Sequence, residues 1–82
     1  MPVKKDKLSE EEKELLRNIG FKIQFLRKKA GISQTQLAEK SNLSDSTISH
    51  LESTNPYAVS IPALNRIAVA LNAPVKSLFD FD

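Results

Sequence analysis

Residues 45–51, DSTISHL, combine several hydrogen-bonding side chains with only two apolar ones. The polar residues are Asp45, Ser46, Thr47, Ser49 and His50, and the apolar residues are Ile48 and Leu51. Residues three positions apart share one face of a helix, so both apolar side chains would anchor the same face. The remaining surface would present hydroxyl, imidazole and carboxylate groups. The segment is therefore either a poorly anchored helix or a helix presented to a polar partner.

Catalytic and metal chemistry have little material in this chain. It has no cysteine and a single histidine, so we expect neither a disulfide framework nor a zinc site. There is no glycine-rich phosphate loop, and the carboxylates of residues 9–14, SEEEKE, suit the start of a helix. We predict that the protein is not an enzyme, uses no metal or cofactor, and has no small-molecule ligand.

Length and composition are typical of one globular domain. The chain has 82 residues, of which 40% are hydrophobic. No apolar run approaches the roughly 18 residues of a membrane span, and residues 1–20 lack the apolar stretch of a signal peptide. We therefore expect a soluble protein of a reducing interior such as the bacterial cytoplasm, without membrane contact and without an accompanying ligand or catalytic domain.

Basic charge is concentrated in one segment, although the formal net charge is only +2. Residues 17–29 contain no acidic residue. Their basic residues are Arg17, Lys22, Arg27, Lys28 and Lys29. This segment is either a solvated helix face or a patch that faces phosphates.

Apolar spacing and capping residues predict five helices and no strand. Ser9 and Glu12 form a capping-box pattern before the first helix, and Gly31 ends it. Later helices begin near Ser33, Ser44, Ser60 and Pro74. The predicted buried stripe of the first helix is Leu15, Leu16, Ile19, Ile23, Leu26 and Ala30. The predicted buried stripe of the fourth is Ile61, Leu64, Ile67, Ala68 and Leu71.

The link between the second and third helices predicts a sharp bend. Residues 41–44, SNLS, are too few for a loose hairpin but fit a tight turn of roughly 90–120°. In such a turn Asn42 adopts a left-handed conformation, Leu43 fills the angle and Ser44 caps the next helix. Ala38 is small enough for two helices to cross closely. These features are typical of a helix-turn-helix.

The sequence GISQTQLAEKSNLSDSTISHLE, at residues 31–52, resembles the lambda-repressor/Cro-type helix-turn-helix family. IGFKIQFLRKKAG before it and IPALNRIAVALNAPVKSLF after it extend the resemblance over about residues 15–80. The sequence departs from the family at Asn42, where many relatives carry glycine, and at Ser41, where an apolar residue is common. The resemblance implies an all-α, five-helix DNA-binding domain at 15–82, preceded by an extension (1–14) that continues into helix one.

The family resemblance also implies roles for individual residues, with the third helix in the major groove of double-stranded DNA. Base contacts are expected from Asp45, Ser46, Ser49 and His50. Phosphate contacts are expected from Ser33, Gln34, Thr47, Asn55 and Tyr57. Lys28 and Lys29 would add attraction that does not depend on base sequence. Arg27 and Glu52 match positions that form an ion pair in some relatives.

Alternative interpretations remain open at several of these positions. Asp45 would either accept from a cytosine amino group or stabilise the first turn of its helix, and Gln34 would be placed to donate to it. His50 would either donate to a guanine or a phosphate, or be an ordinary exposed side chain. Arg27 and Glu52 would otherwise be two independent surface charges.

The third helix contains no Lys or Arg, so one copy would hold DNA weakly. We therefore expect a homodimer with two third helices about 34 Å apart. Phe21 and Phe25 either pack against the N-terminal segment or against Phe79 and Phe81, or they form an exposed contact surface. The other candidate interface is the outer face of helices four and five.

The predicted function is a sequence-specific transcriptional regulator, acting as a homodimeric repressor or a restriction–modification-type controller. The alternative is an antitoxin-type regulator that also binds a partner protein, through the N-terminal extension or the phenylalanine pair. A purely structural or protein-binding helical domain is a third possibility.

Overall fold

A computed structural model describes residues 8–81 of the chain. These residues form α1 (Glu10–Ala30), α2 (Gln34–Ser41), α3 (Asp45–Leu51), α4 (Ile61–Ala70) and a 3₁₀-helix (Val75–Phe79), with no strand among them. The all-α prediction is confirmed. The expected fifth α-helix is instead the short 3₁₀-helix, whose preceding residue supplies no side-chain cap. Of the predicted N-terminal extension, residues 1–7 lie outside the described residues.

Capping residues fix both ends of α1. The Ser9 hydroxyl accepts from the Glu12 backbone N–H at 3.0 Å, and the Glu12 carboxylate accepts from the Ser9 N–H at 2.8 Å. Gly31 ends the helix with φ 75°, a left-handed conformation that glycine adopts without strain. Both predicted caps are confirmed.

The bend between α2 and α3 also rests on its predicted residues. Asn42 has φ 58° and ψ 40°, which is the left-handed conformation, and Ser44 accepts from the Thr47 N–H at 3.1 Å. Leu43 is half-buried and packs against the core. Ser41 is buried in place of the family's apolar residue, and its hydroxyl donates to the Leu37 carbonyl at 2.7 Å. This hydrogen bond compensates for burying a polar group at the inside of the bend.

The core joins α1, α2, α3, α4 and the 3₁₀-helix. Its members are Ile19, Ile23, Leu37, Ala38, Ile48, Leu51, Leu64, Ile67, Ala68 and Leu78. Three predicted core residues are wrong, since Leu15 is 44% exposed, Ile61 is 64% exposed and Ala30 is also exposed. Ile61 is the first residue of α4 and Ala30 is the last residue of α1. Leu26 and Leu71 are partly buried against the core.

At Gly20 the backbone of α1 lies close to the end of α3. A Cβ atom at this position would lie 1.9 Å from the Leu51 carbonyl oxygen, a distance at which the backbone would have to move. The helix-weakening glycine in α1 is therefore required by tertiary packing.

The phenylalanines of α1 are mostly exposed, at 55% for Phe21 and 57% for Phe25. Phe81 lines an open cleft beside them, but it is 42% exposed itself, so the C-terminal phenylalanines do not bury the pair. Packing against residues 1–7 lies outside the described residues. Between residues 8 and 81, no helix is long and apolar enough to cross a membrane.

Candidate nucleic-acid interface

The two sides of α3 have opposite environments. Ile48 and Leu51 are both 0% exposed, because α1 and α2 cover them. The four predicted base-contact residues, Asp45, Ser46, Ser49 and His50, are all exposed, and Thr47 is partly buried. The helix is therefore firmly anchored and presents its polar side to solvent. This excludes the alternative of a poorly anchored helix.

A buried ion pair fastens the end of α3 to α1. Arg27 Nε donates to Glu52 Oε2 at 2.8 Å, and Arg27 Nη2 donates to Glu52 Oε1 at 2.9 Å. Arg27 Nη1 donates to the Ile32 carbonyl at 2.8 Å. The side chains are only 10% and 1% exposed, respectively, so these residues are not independent surface charges. Such two-pronged pairing fixes both distance and orientation.

The hydrogen bonds that Arg27 donates to the Glu52 carboxylate raise the pKa of Arg27, outweighing the opposite effect of burial. A raised pKa means that this contribution to stability is complete below the ordinary arginine pKa and is lost only as pH rises through the higher, folded-state value. Arginine is already charged at every ordinary pH. The Arg27 side of the pair therefore adds no pH dependence near neutrality.

The start of α2 makes two different contacts with α3. Gln34 Nε2 donates to Glu52 Oε1 at 3.1 Å, and the Thr35 hydroxyl donates to Asp45 Oδ2 at 3.3 Å. The expectation that Gln34 would hold Asp45 is wrong. Successive residues of a helix point about 100° apart, so residues 34 and 35 address opposite ends of the short α3. Thr35 is the neighbour of Asp45 that the sequence interpretation missed.

Ser33 caps α2 through a second capping box that had not been predicted. Its N–H donates to Gln36 Oε1 at 2.7 Å, and its hydroxyl accepts from the Gln36 N–H at 3.0 Å. The pattern Ser-x-x-Gln was visible in the sequence. Because the backbone N–H of Ser33 already donates to Gln36, only the hydroxyl hydrogen of Ser33 is left to donate to another group.

Two exposed basic residues lie in the last turn of α1, shortly before α2 begins. Lys28 and Lys29 are exposed there, where their charges also suit the negative end of the helix. Lys29 Nζ lies 6.0 Å from the centre of the Phe25 ring, and Lys22 Nζ lies 5.7 Å from it, both within cation–π range. The basic side chains in the second half of α1 therefore have different environments: Arg27 is buried in its ion pair, Lys22 and Lys29 lie near the Phe25 ring, and Lys28 is exposed.

The loop after α3 packs back onto that helix. The Tyr57 ring stacks on the His50 ring with centres 4.6 Å apart and planes inclined by 28°. Ser53 Oγ donates to the His50 carbonyl at 2.7 Å and accepts from the Asn55 N–H at 3.2 Å. The sequence interpretation named Asn55, Tyr57 and His50 separately, and their association came to light only in three dimensions.

The sequence and structure comparisons agree on one family. A family model described as "Helix-turn-helix" matches residues 23–78. The competence pilus inhibition repressor of Acinetobacter baylyi is 43% identical over 63 residues, which make up 76% of this chain. The match spans 56% of that repressor, so the chain corresponds to little more than half of its length.

Two solved structures have the same fold. The restriction-modification controller protein C.AhdI from Aeromonas hydrophila superposes with a TM-score of 0.74 at 31% identity, covering 78% of this chain and 96% of its own. The controller C.Esp1396I, in a structure bound to a 19-base-pair DNA duplex, has a TM-score of 0.73 at 33% identity, covering 80% and 87%.

Proposed function

The chain belongs to the helix-turn-helix family, and we propose that it is a sequence-specific, double-stranded-DNA-binding transcriptional regulator. We propose further that it acts as a homodimer, as a repressor or a restriction–modification-type controller. The observation that carries this function is α3 itself, since Ile48 and Leu51 are fully buried while its polar side chains are exposed. The similarity to a repressor and to a controller bound to DNA supports the same function.

In this proposal α3 enters the major groove and reads base edges. The residues that do so are Asp45, Ser46, Ser49 and His50. Thr35 holds the Asp45 carboxylate by its hydroxyl, which favours a base that presents an amino group to Asp45.

The phosphate contacts of this proposal come from Thr47, Ser33 and Gln34. Gln34 keeps one amide hydrogen for this purpose while the other bonds Glu52.

Electrostatic attraction comes from α1 rather than from α3. Lys28 and Lys29 are exposed at the end of α1, whereas α3 carries no Lys or Arg. With about six phosphates contacted, the slope of log affinity against log salt is expected near −5. Lys28→Ala should make this slope shallower for every duplex. Lys76→Ala removes the same charge from the 3₁₀-helix and serves as its control, and a flat salt response of the unchanged protein contradicts the electrostatic part of the proposal.

The homodimer compensates for the weak grip of a single α3, because two copies engage successive grooves about 34 Å apart. Two exposed apolar surfaces are available for it. One contains Phe21 and Phe25 on α1, and the other contains Ile61 and Val69 on α4. Sedimentation of Phe25→Glu and Val69→Glu assigns the interface, because only the variant at the interface dissociates. A monomer under all conditions, with the DNA site present, excludes the homodimer.

Selection of bound sites from random duplexes tests the function directly. We expect an enriched site made of two half-sites related by two-fold symmetry. Gln34→Ala should weaken binding to all duplexes alike, whereas Ser49→Ala should change the preferred base. Failure to enrich any sequence would exclude sequence-specific recognition.

A further inference from the structure

The imidazole of His50 is held by two contacts on different atoms of the ring. Nδ1 lies 3.0 Å from the backbone carbonyl oxygen of Ser46, one helical turn earlier. The face of the ring is covered by Tyr57, which stacks at 4.6 Å between ring centres. Both His50 and Tyr57 are nevertheless exposed to solvent, so the remaining ring nitrogen can reach a partner outside the protein.

The partner of Nδ1 decides where the imidazole proton lies. A carbonyl oxygen can only accept a hydrogen bond, so Nδ1 must carry the hydrogen. In a neutral imidazole the other nitrogen, Nε2, is then an acceptor. The backbone of α3 therefore selects one tautomer of His50.

We propose that Ser46 and Tyr57 hold His50 as an acceptor, so that Nε2 takes a hydrogen bond from the exocyclic amino group of adenine or cytosine. This rests on the proposed function and specifies which base edges His50 reads. In the major groove, amino groups are presented only by adenine N6 and cytosine N4, whereas guanine presents the acceptors N7 and O6. Donation to a guanine, one of the sequence-based expectations, would require a hydrogen on Nε2.

Tyr57 is a positioning residue in this scheme, acting through its ring rather than its hydroxyl. The loop that carries it is tied to α3 by Ser53, which donates to the His50 carbonyl at 2.7 Å. The preceding residue, Pro56, is buried. A proline ring fixes its own φ angle and restricts the conformation of the residue before it. A side chain ordered before binding loses less entropy when the complex forms. Stacking by Tyr57 therefore prepares His50 for contact.

The free protein provides the first test, because the chain contains one histidine and one tyrosine, which makes their NMR signals unambiguous. At about pH 8, where an ordinary imidazole is neutral, ¹⁵N shifts should show hydrogen on Nδ1, and a nuclear Overhauser effect should connect the two rings. Tyr57→Phe should keep the tautomer, while Tyr57→Ala should give a mixture, because without the stacked ring the imidazole can turn away from the Ser46 carbonyl. Hydrogen mainly on Nε2, or no contact between the rings, overturns the proposal without reference to DNA.

The second test uses the selected DNA site with single amino groups removed. Purine in place of adenine, or 2-pyrimidinone in place of cytosine, should weaken wild-type binding about ten-fold at the His50 position, in line with one lost base contact. His50→Ala should abolish that discrimination. The assignment is overturned if the wild type binds the altered duplexes as tightly as the original, if His50→Ala still discriminates between them, or if guanine is preferred at that position. No DNA binding at all contradicts the proposed function instead.

Tyr57→Phe separates stacking from a contact by the hydroxyl. Stacking predicts that Tyr57→Phe binds within about two-fold of the wild type, a change well below one hydrogen bond. Tyr57→Ala should lose several-fold in affinity and in discrimination at the His50 base. Equal losses in the two variants would mean that the hydroxyl acts on a phosphate, and would overturn the role of the ring. Thermal denaturation of both variants serves as the control that they are folded.

Discussion

The inner and outer sides of α3 are held by different interactions. On the inner side, Ile48 and Leu51 are fully buried and Glu52 forms a two-pronged ion pair with Arg27. On the outer side, His50 and Asp45 are exposed and are held by single hydrogen bonds and one stacked ring. The residues that anchor α3 and its C-cap are therefore distinct from the residues that we propose read the DNA bases. Substitutions on one side are expected to change either stability or base recognition, with little effect on the other.

The largest effect is expected from Glu52→Ala, which leaves the buried Arg27 guanidinium without its partner. Loss of one member of a buried ion pair typically lowers the free energy of unfolding by about 3–5 kcal/mol. Chemical denaturation measures this change. The double substitution Arg27→Met with Glu52→Leu removes both charges and should lose less than the single variant. A small effect of Glu52→Ala would mean that the inner side is no more strongly held than the outer side.

Gly20→Ala is expected to have the next largest effect. The added Cβ would lie 1.9 Å from the Leu51 carbonyl oxygen, so α1 and α3 must separate. Overpacking of this kind lowers stability by about 1–3 kcal/mol, despite the better helix propensity of alanine. Gly31→Ala is the control, because its Cβ would meet nothing within 4 Å and only its φ of 75° is unfavourable. An unchanged melting temperature for Gly20→Ala would contradict the close approach.

Asn42 tests the bend that joins the two helices. Alanine in its left-handed conformation should lower the free energy of unfolding by about 1 kcal/mol, whereas glycine adopts that conformation freely. We therefore expect Asn42→Ala to melt at a lower temperature and Asn42→Gly to resemble the wild type. Equal behaviour of the two variants would show that the backbone conformation of Asn42 is not what stabilises the turn.

The smallest change in stability is expected on the outer side, at Ser49. It is exposed and forms no side-chain hydrogen bond within residues 8–81, so Ser49→Ala should alter the free energy of unfolding by no more than about 0.5 kcal/mol. Base preference at one position of the selected site should nevertheless change. A stability loss as large as that of Asn42→Ala would remove the distinction between the two sides.

Local features of the fold were predictable because they depend on neighbouring residues. Ser9 with Glu12, Gly31 and Asn42 act within one or two turns of the chain, and all three predictions are confirmed. The bend at Asn42 and the anchoring of α3 by Ile48 and Leu51 follow from the same short-range patterns. These features suffice to predict which side of α3 faces solvent.

Features that depend on distant elements were not predictable from periodicity. Leu15 and Ile61 have the spacing of core residues, yet no element within residues 8–81 buries them. The charged Arg27 is buried because it pairs with Glu52, 25 residues later in the sequence. The role of Gly20 likewise depends on a distant residue, because the Leu51 carbonyl lies beside it. The stack of Tyr57 on His50 depends on the path of a loop, for which no periodic pattern exists.

The close contact at Gly20 has a mechanical consequence for recognition. Because the Leu51 carbonyl lies against the backbone of α1 and the adjacent Glu52 is clamped by Arg27, α3 cannot slide or rotate independently of α1. A duplex with a different groove width must then be accommodated by a rigid-body tilt of the whole domain or by deformation of the DNA. DNA sites with easily deformed base-pair steps would therefore be favoured, even where those steps contact no side chain.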